Sequence, residues 1–206
     1  MSSTVARPRQ ALLAAYALAM LANAVVGPVS ANEADAPTPG ELVFQTDFET
    51  SQQREAWSKA DFAEWTTGHE GTTSLCITVP TDRSSSSNMI RLPLDLTRYR
   101  GCRLLFECQA KAEDVSEPPQ PYLGVKFMLH YQSKTAGPFW QNQNGVFGSF
   151  DWRLLQFAAP IAPDATGGQI DLGLQDSSGK VWFDSVKVTV FKGPPPKRPQ
   201  LSLIHI

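Results

Sequence analysis

The sequence has little net charge and little cysteine. Its 206 residues carry 18 lysines and arginines against 20 aspartates and glutamates, and this net charge of -2 provides no electrostatic footprint for nucleic acid. Three cysteines allow at most one disulfide and exclude a zinc ribbon, so stability must come mainly from a hydrophobic core. Since 42% of the residues are hydrophobic, we expect a globular domain rather than a disordered chain.

Signatures of common enzyme classes are also missing from the sequence. It contains no G-x-S-x-G, H-E-x-x-H, G-x-G-x-x-G or P-loop pattern. Asp61 and Glu64 could in principle serve glycoside hydrolysis, but neither lies in a motif, and a domain of this size leaves little room for a deep cleft. Apart from His205 in the C-terminal hexapeptide, His69 and His130 are the candidate catalytic bases. Catalysis by this segment is therefore the less favoured interpretation.

Residues 1–31 have the pattern of a secretory signal peptide. Arg7 and Arg9 precede the apolar run 11–26, and small residues end at Ala31, where we predict cleavage. An uncleaved anchor is the alternative, but a run of about 16 residues is shorter than the roughly 20 that a spanning helix needs. We therefore expect a secreted protein, extracellular or periplasmic, without a membrane span after cleavage. Residues 32–40 are predicted to be a short disordered lead.

The C-terminal residues are interpreted as a linker followed by a foreign hexapeptide. Residues 193–200 are rich in proline and can form neither strand nor helix. Residues 201–206 resemble a one-frame translation of the transposase end sequence used in sequencing libraries, although a genuine short apolar tail is the alternative. A linker that runs into adapter sequence predicts that the natural protein is longer, a monomer with a C-terminal catalytic domain. Because His205 lies in the hexapeptide, we assign it no function.

Between these ends, residues 41–192 alternate apolar and polar side chains with a period of two, which predicts an all-β domain. Turn residues separate the candidate strands, and short turns favour antiparallel neighbours. About nine strands in about 150 residues indicate a two-sheet antiparallel β-sandwich of the jelly-roll type. The predicted strands are residues 42–48, 62–67, 74–79, 88–96, 102–111, 122–132, 151–158, 169–175 and 180–191.

The cysteines lie in three of these predicted strands. Cys102 and Cys108 share parity within one strand, so both could face inward as small apolar residues. A cross-strand disulfide that involves Cys76 remains open, because strand pairing does not follow from the sequence alone.

Alternation also predicts a polar face on two of the strands. In strand 122–132, Lys126 and His130 lie opposite a row of apolar side chains, and in strand 102–111 Glu107 and Gln109 lie on the polar side. We interpret the two faces as one wall of a groove for a polyhydroxylated ligand. A solvated surface is the alternative.

Residues 137–145 are predicted to be a loop that carries two large aromatic side chains. Sugar recognition requires flat apolar platforms for the C–H faces of a pyranose, together with amide or carboxylate groups for its hydroxyls. Phe139, Trp140 and Gln141 provide both, so they are candidate carbohydrate-binding residues, although the aromatic rings could instead fold back onto the sheet edge. Trp57 and Trp65 are weaker candidates, and Trp152 and Trp182 are interpreted as structural.

One carboxylate interrupts the apolar side of the last predicted strand. Asp184 shares parity with Trp182 and Val186, the side that should face the core. A buried carboxylate must be protonated, paired or bound to a cation. Asp47 and Glu49, near the start of the domain, offer two more carboxylates, and such oxygen-rich groups suit calcium. The alternative is that backbone amides or a distant arginine satisfy Asp184.

Four motifs in order resemble the carbohydrate-binding modules of families four, nine and twenty-two. They are Asp-Phe-Glu at 47–49, Glu-Gly-Thr-Thr-Ser-Leu at 70–75, Asp-Trp-Arg at 151–153 and Trp-Phe-Asp-Ser-Val at 182–186, and they cover about 150 residues. The resemblance implies a galactose-binding-like jelly roll with a sugar groove on one sheet and a structural calcium ion. Carried over by motif, the calcium carboxylates fall on Glu49, Glu70 and Asp184, with main-chain oxygens near Asp47 and Thr73.

The function that follows is that of a non-catalytic module. It would target an attached secreted enzyme, a glycoside hydrolase, to a β-glucan or xylan-type polysaccharide. The groove positions of the family transfer less well, because the insertion 117–121 has no obvious counterpart. A secreted structural or adhesion sandwich without a small-molecule ligand is the alternative.

Overall fold

A computed structural model describes residues 36–71 and 73–195. The predicted signal peptide, most of the predicted linker and the hexapeptide lie outside these residues. Among the residues that are described, no helix has the length and apolar character to cross a membrane. The elements are β1 (Leu42–Thr46), α1 (Ser51–Glu55), β2 (Ala63–Thr66), β3 (Ser74–Val79), β4 (Ser87–Leu94), β5 (Arg103–Val115), β6 (Gly124–Ser133), β7 (Gly137–Asn142), β8 (Gly148–Pro160), β9 (Ala165–Gln175) and β10 (Gly179–Lys192).

The strands form two antiparallel sheets. One has six strands in the order β2-β3-β10-β5-β8, with β1 also paired to β10, and the other has four strands in the order β4-β9-β6-β7. The predicted two-sheet antiparallel β-sandwich is confirmed. Strands β2 and β4 are edge strands, one in each sheet, and β7 is the other edge of the four-stranded sheet.

The core between the sheets is built from the apolar residues that alternate with polar ones along each strand. Phe106 of β5 and Phe157 of β8 stack with ring centroids 4.8 Å apart, and Phe127 of β6 meets both of them edge-on from the facing sheet. All three rings are buried. Such aromatic contacts add to the free energy gained by removing the rings from water.

Strand β7 corrects the sequence prediction, because residues 137–142 were expected to lie in a loop. They pair with β6 in a hairpin, with Gly137 opposite Ser133 and a positive φ of 80° at Gly137. The amide-rich composition and Pro138 concealed the strand. Proline is tolerated at this position because an edge strand does not need to donate from every backbone N–H.

A bulge in β10 corrects the predicted orientation of Asp184. Phe183 is buried before the bulge and Val186 after it, while the register against β5 shifts beyond Asp184 and Ser185 takes a left-handed φ of 52°. The extra residue restarts the alternation, so Asp184 belongs with Trp182 on the outer face of the sheet. It is buried there by the segment that precedes β3 and not by the core.

The three cysteines are buried free thiols. Cys102 and Cys108 face the core as predicted, and Cys76 forms no disulfide. Burial raises the pKa of each thiol, because it disfavours the thiolate.

We predict that Phe106→Ala lowers the free energy of unfolding by about 3–5 kcal/mol, the usual result of removing a buried phenylalanine and leaving a cavity. Urea denaturation followed by tryptophan fluorescence measures the change. Leu154→Ala is the control, because Leu154 is an exposed residue of β8, and it should alter stability only slightly. Equal effects of the two substitutions would contradict the assigned core.

Candidate functional site

The outer face of the four-stranded sheet carries a cleft of about 770 Å³. Alternation turns every second residue of its strands away from the core, and these residues line the cleft. A volume of this size is typical of ligand-binding pockets. The lining residues are Ser87, Met89 and Arg91 of β4, Gln169, Asp171 and Gln175 of β9, Lys126, Met128 and His130 of β6, Trp140, Gln141 and Asn142 of β7, and Tyr122 and Asn144 from adjoining loops.

Trp140 forms a flat aromatic platform at one side of the cleft. It lies opposite His130 in the β6–β7 register, and the two rings stack at 5.2 Å with an angle of only 5° between their planes. The indole is nevertheless 56% exposed. Phe139 turns to the other face of β7 and stacks on Tyr131 at 4.7 Å, so it packs against the core and does not line the cleft.

Asp171 is a buried carboxylate in the floor of the cleft. Its cross-strand neighbour Arg91 places Nε 3.3 Å from Oδ1, and Gln169 Nε2 donates to the same oxygen at 2.9 Å. Burial raises the pKa of Asp171, and the hydrogen bond from Gln169 and the charge of Arg91 oppose this shift. The carboxylate is thereby held in one orientation toward the cleft.

Lys126 is a buried ammonium beside it. Its Nζ donates to the Tyr122 carbonyl and to Asn142 Oδ1, the latter at 3.5 Å. Burial lowers the pKa of Lys126 to about 8, against the opposing influence of Asp171 and Asp176. An ammonium has three donors, so the two acceptors found among the described residues leave one for a ligand hydroxyl.

Glu107 and Gln109 are not part of this cleft. They lie on β5, and therefore on the outer face of the opposite sheet. The prediction that strands 102–111 and 122–132 form one polar face is wrong, because alternation assigns a side chain to a face but does not determine which strands are neighbours. Of the predicted sugar-binding residues, the structure brings Trp140, Gln141, Lys126 and His130 together.

The charged pair Arg91–Asp171 and its partner Gln169 were not among the residues predicted from the sequence to bind a ligand. All three occupy outward positions in strands that were predicted from the sequence, so their parity was available as a signal. Their importance depends on the order β4-β9-β6, which places Asp171 between Arg91 and Met128. That order is a long-range property that no local pattern reveals.

A second polar cluster lies where two strands meet on β10. Strands β3 and β1 pair with successive parts of the same edge of β10, and Asp184 falls in the interval between them. Asp184 accepts hydrogen bonds from the backbone N–H groups of His69, at 2.7 Å, and Ser185, at 2.6 Å. Glu49, just after β1, accepts from the backbone N–H of Thr73, just before β3, at 3.0 Å. Backbone amides thus satisfy part of Asp184, as the alternative interpretation expected.

The side chains of the other two residues predicted to contribute metal ligands, Glu70 and Asp47, are exposed. The Glu70 side chain is 82% exposed, with its carboxylate 3.8 Å from His69 Nδ1. The Asp47 side chain accepts from the backbone N–H of Glu49 at 3.3 Å and is exposed. Within residues 36–71 and 73–195, no group of three or more histidine, cysteine, aspartate or glutamate side chains is positioned to hold a metal ion.

Two glycines allow the backbone before β3 to approach the carboxylates closely. A Cβ on Gly68 would lie 2.8 Å from both Asp184 Oδ2 and the carbonyl oxygen of Thr73, and a Cβ on Gly71 would overlap Oε1 of Glu49. Burial, and to a lesser degree the charge of Glu49, raises the pKa of Asp184. The Asp184 carboxylate and the Thr73 carbonyl lie close to Gly68, the Glu49 carboxylate lies close to Gly71, and oxygen ligands of these kinds are the ones that calcium prefers.

Comparisons with known proteins identify the fold. No protein-family model and no curated protein matches the sequence. Among solved structures, the chain is similar to the CBM22-1 xylan-binding domain of Paenibacillus barcinonensis Xyn10C, with 17% identity, a TM-score of 0.59 and coverage of 76% of this chain and 99% of that one. The predicted resemblance is therefore confirmed for the fold.

Two structures from Clostridium thermocellum Xyn10B agree with this result. The C-terminal family 22 carbohydrate-binding module has 18% identity and a TM-score of 0.52, and coverage is 75% of this chain and 96% of that one. The N-terminal CBM22-1–GH10 modules, complexed with xylohexaose, have 17% identity and a TM-score of 0.54, and coverage is 77% of this chain and 30% of that one. The fold defined by these neighbours is that of family 22 carbohydrate-binding modules.

We predict that Lys126→Met changes the pH dependence of stability. The folded protein lowers the pKa of Lys126 from 10.5 to about 8, so between these values the unfolded chain binds a proton that the folded chain does not. This residue therefore makes the wild type more stable as the pH rises through that window, and the variant lacks the gain. Urea unfolding at about pH 7 and about pH 10 measures the difference between the two proteins.

Lys187→Met is the control for exchanging a lysine for a methionine, since Lys187 is exposed on β10 in the other sheet. If the stability difference between wild type and Lys126→Met were the same at both pH values, the desolvation of Lys126 would be refuted.

Proposed function

We propose that this domain is a non-catalytic carbohydrate-binding module whose cleft binds a polysaccharide, either xylan-type or a β-glucan. The observation that carries the proposal is the exposed Trp140 platform, stacked on His130 beside a row of fixed polar groups. Pyranose rings present apolar C–H faces to such a platform and hydroxyls to amide, carboxylate and ammonium groups. One family 22 neighbour is described as xylan-binding and another is complexed with xylohexaose, which favours xylan among these polymers.

Binding without turnover is supported by the carboxylates of the cleft. Glycoside hydrolysis normally uses two carboxyl groups that flank the scissile bond. Among the described residues that line the cleft, Asp171 is the only carboxylate, and Arg91 and Gln169 already engage it. From the described residues, the cleft therefore has the groups for recognition and no second carboxyl group for hydrolysis.

The wider setting of the module is part of the proposal. An N-terminal pattern typical of a signal peptide supports secretion. One neighbour structure joins a family 22 module to a GH10 module, which supports a natural protein in which this domain, a monomer, directs an attached catalytic domain to its substrate.

A structural calcium ion is the second part of the proposal. Glu49, Asp184 and the carbonyl of Thr73 would hold it, with water completing the shell of six to eight oxygens. The ion would compensate the charge of the two carboxylates. It would also join the end of β1 to the start of β3, at the point where neither strand continues along β10.

We predict that Trp140→Ala weakens binding to soluble xylan by at least about tenfold, about 1.4 kcal/mol, because the stacking platform is lost. Wild-type affinity should be micromolar to millimolar, since a shallow cleft desolvates few ligand atoms. Affinity gel electrophoresis with xylan and β-glucan measures retardation, and the melting temperature should stay nearly unchanged, because Trp140 is exposed.

Phe191→Ala is the matched control, because Phe191 is 57% exposed but lies on β10 in the other sheet. It should leave retardation unaltered. If wild-type protein shows no retardation with any of the polysaccharides, the structural or adhesion sandwich becomes the better interpretation.

We predict that calcium raises the melting temperature and that chelation lowers it. An ion that binds only the folded state stabilises it by RT ln(1 + [L]/Kd), about 2.7 kcal/mol when free calcium is 100 times Kd. Asp184→Asn should remove most of this response in differential scanning fluorimetry, because it deletes a charged ligand. Glu70→Gln should retain the response, since that side chain points into solvent. Identical melting curves with calcium and with chelator would reject the site.

A further inference from the structure

A second pocket, of about 460 Å³, lies at one edge of the sandwich. It lies between β2 and β4, the edge strands of the two sheets, and α1 and the segment 57–60 complete it. Its size falls within the range of ligand-binding pockets. The groups that matter for recognition are Arg54, Glu55, Trp57, Ser58, Lys59 and Trp65.

Trp65 is an exposed platform that the core holds in place. Its indole ring packs on Phe48 with centroids 5.4 Å apart, and Phe48 in turn packs on Trp57 at 5.8 Å. Phe48 is fully buried, whereas Trp65 remains 40% exposed at the edge of the sheet. Because Phe48 occupies the space beneath it, the Trp65 ring cannot move into the core and stays available to a ligand.

Trp57 contributes a buried donor without an acceptor. Its side chain lines the pocket, and its indole Nε1–H is buried with no hydrogen-bond partner among the described residues. Buried polar groups are nearly always paired, and an unpaired donor is unfavourable by about 1–3 kcal/mol. Trp57 is only 3% exposed and belongs to the core cluster, so its indole supports Phe48 beneath Trp65 and does not present its N–H to a ligand.

Polar side chains around the pocket are fixed by backbone contacts. Arg54 Nη1 donates to the carbonyls of Phe48, at 2.7 Å, and Glu49, at 3.0 Å. Ser58 and Arg91 are joined twice, by the backbone N–H of Ser58 to the Arg91 carbonyl at 2.8 Å and by the backbone N–H of Arg91 to Ser58 Oγ at 2.9 Å. The wall of the pocket is therefore formed before any ligand arrives, which lowers the entropic cost of binding.

We propose that this pocket is a second saccharide-binding site, which takes one or two sugar rings independently of the cleft. The exposed Trp65 face for C–H groups and the nearby hydroxyl, carboxylate and ammonium groups of Ser58, Glu55 and Lys59 meet the same chemical requirements as the first site. The ligand class rests on the function proposed for that cleft. Two sites on one domain would raise the apparent affinity for a polymer through effective concentration, without tighter contacts at either site.

Tryptophan indole signals test the proposal. All five tryptophans lie within the described residues, and their indole N–H resonances can be assigned by single Trp→Phe variants in ¹H–¹⁵N spectra of the protein. On titration with xylohexaose, cellohexaose and mannohexaose, the signals of Trp57 and Trp65 should shift in the wild type and equally in Trp140→Ala. Trp65→Ala should abolish the shift at Trp57 and leave the shift at Trp140.

Trp182→Ala is the control and should leave the shifts at Trp57, Trp65 and Trp140 in place. Trp65→Phe should retain partial binding, because it keeps an aromatic face. Shifts confined to Trp140 would overturn the second site and leave the proposed function standing. Shifts at Trp57 and Trp65 that vanish in Trp140→Ala would overturn its independence. If no tryptophan signal shifts with any oligosaccharide, both proposals fail.

Discussion

The pairing of strand β10 is the constraint on which the six-stranded sheet depends. Strand β5 occupies one edge of β10, while β3 and β1 pair in succession along the other. The bulge at Ser185 lies where these two strands meet, so it keeps Val186 in the core and turns Asp184 outward into the interval. From the end of β1 the chain continues into Phe48, which supports Trp65. The carboxylate cluster and the second pocket therefore both originate at this junction.

The cleft depends on a different constraint, the alternation of the four-stranded sheet. The same period of two that buries Phe127 and Leu129 presents Lys126 and His130 on the outside, so core and cleft are two faces of one pattern. An edge strand then completes the site. Among the described residues, no further strand pairs with β7 in its sheet, and this leaves Trp140 open to solvent while His130 supports it.

The sequence predicted the features that follow from local alternation of apolar and polar residues. It did not predict the features that depend on the order of strands in the two sheets. Alternation was sufficient to predict nine of the ten strands, the sandwich and the outward position of Lys126 and His130. It failed for Asp184, because a single left-handed residue reverses the parity of a strand and leaves no trace in the pattern. It also could not separate Glu107 from Lys126, since parity places residues on faces but does not assign strands to sheets.

Two buried charges on the outer face of a sheet require an explanation other than stability. Lys126 and Asp171 each lose solvation, as their shifted pKa values indicate, and apolar side chains at these positions would avoid that penalty. Neither residue holds the sheets together, because the core lies on the other face. Under the proposed function, the two buried charges serve recognition. Lys126 is held by the Tyr122 carbonyl, and Asp171 is held by Arg91 and Gln169, so both groups are oriented before a sugar arrives. A ligand hydroxyl then meets a donor and an acceptor that need not be ordered on binding, which is the condition under which a shallow cleft can still discriminate among polysaccharides.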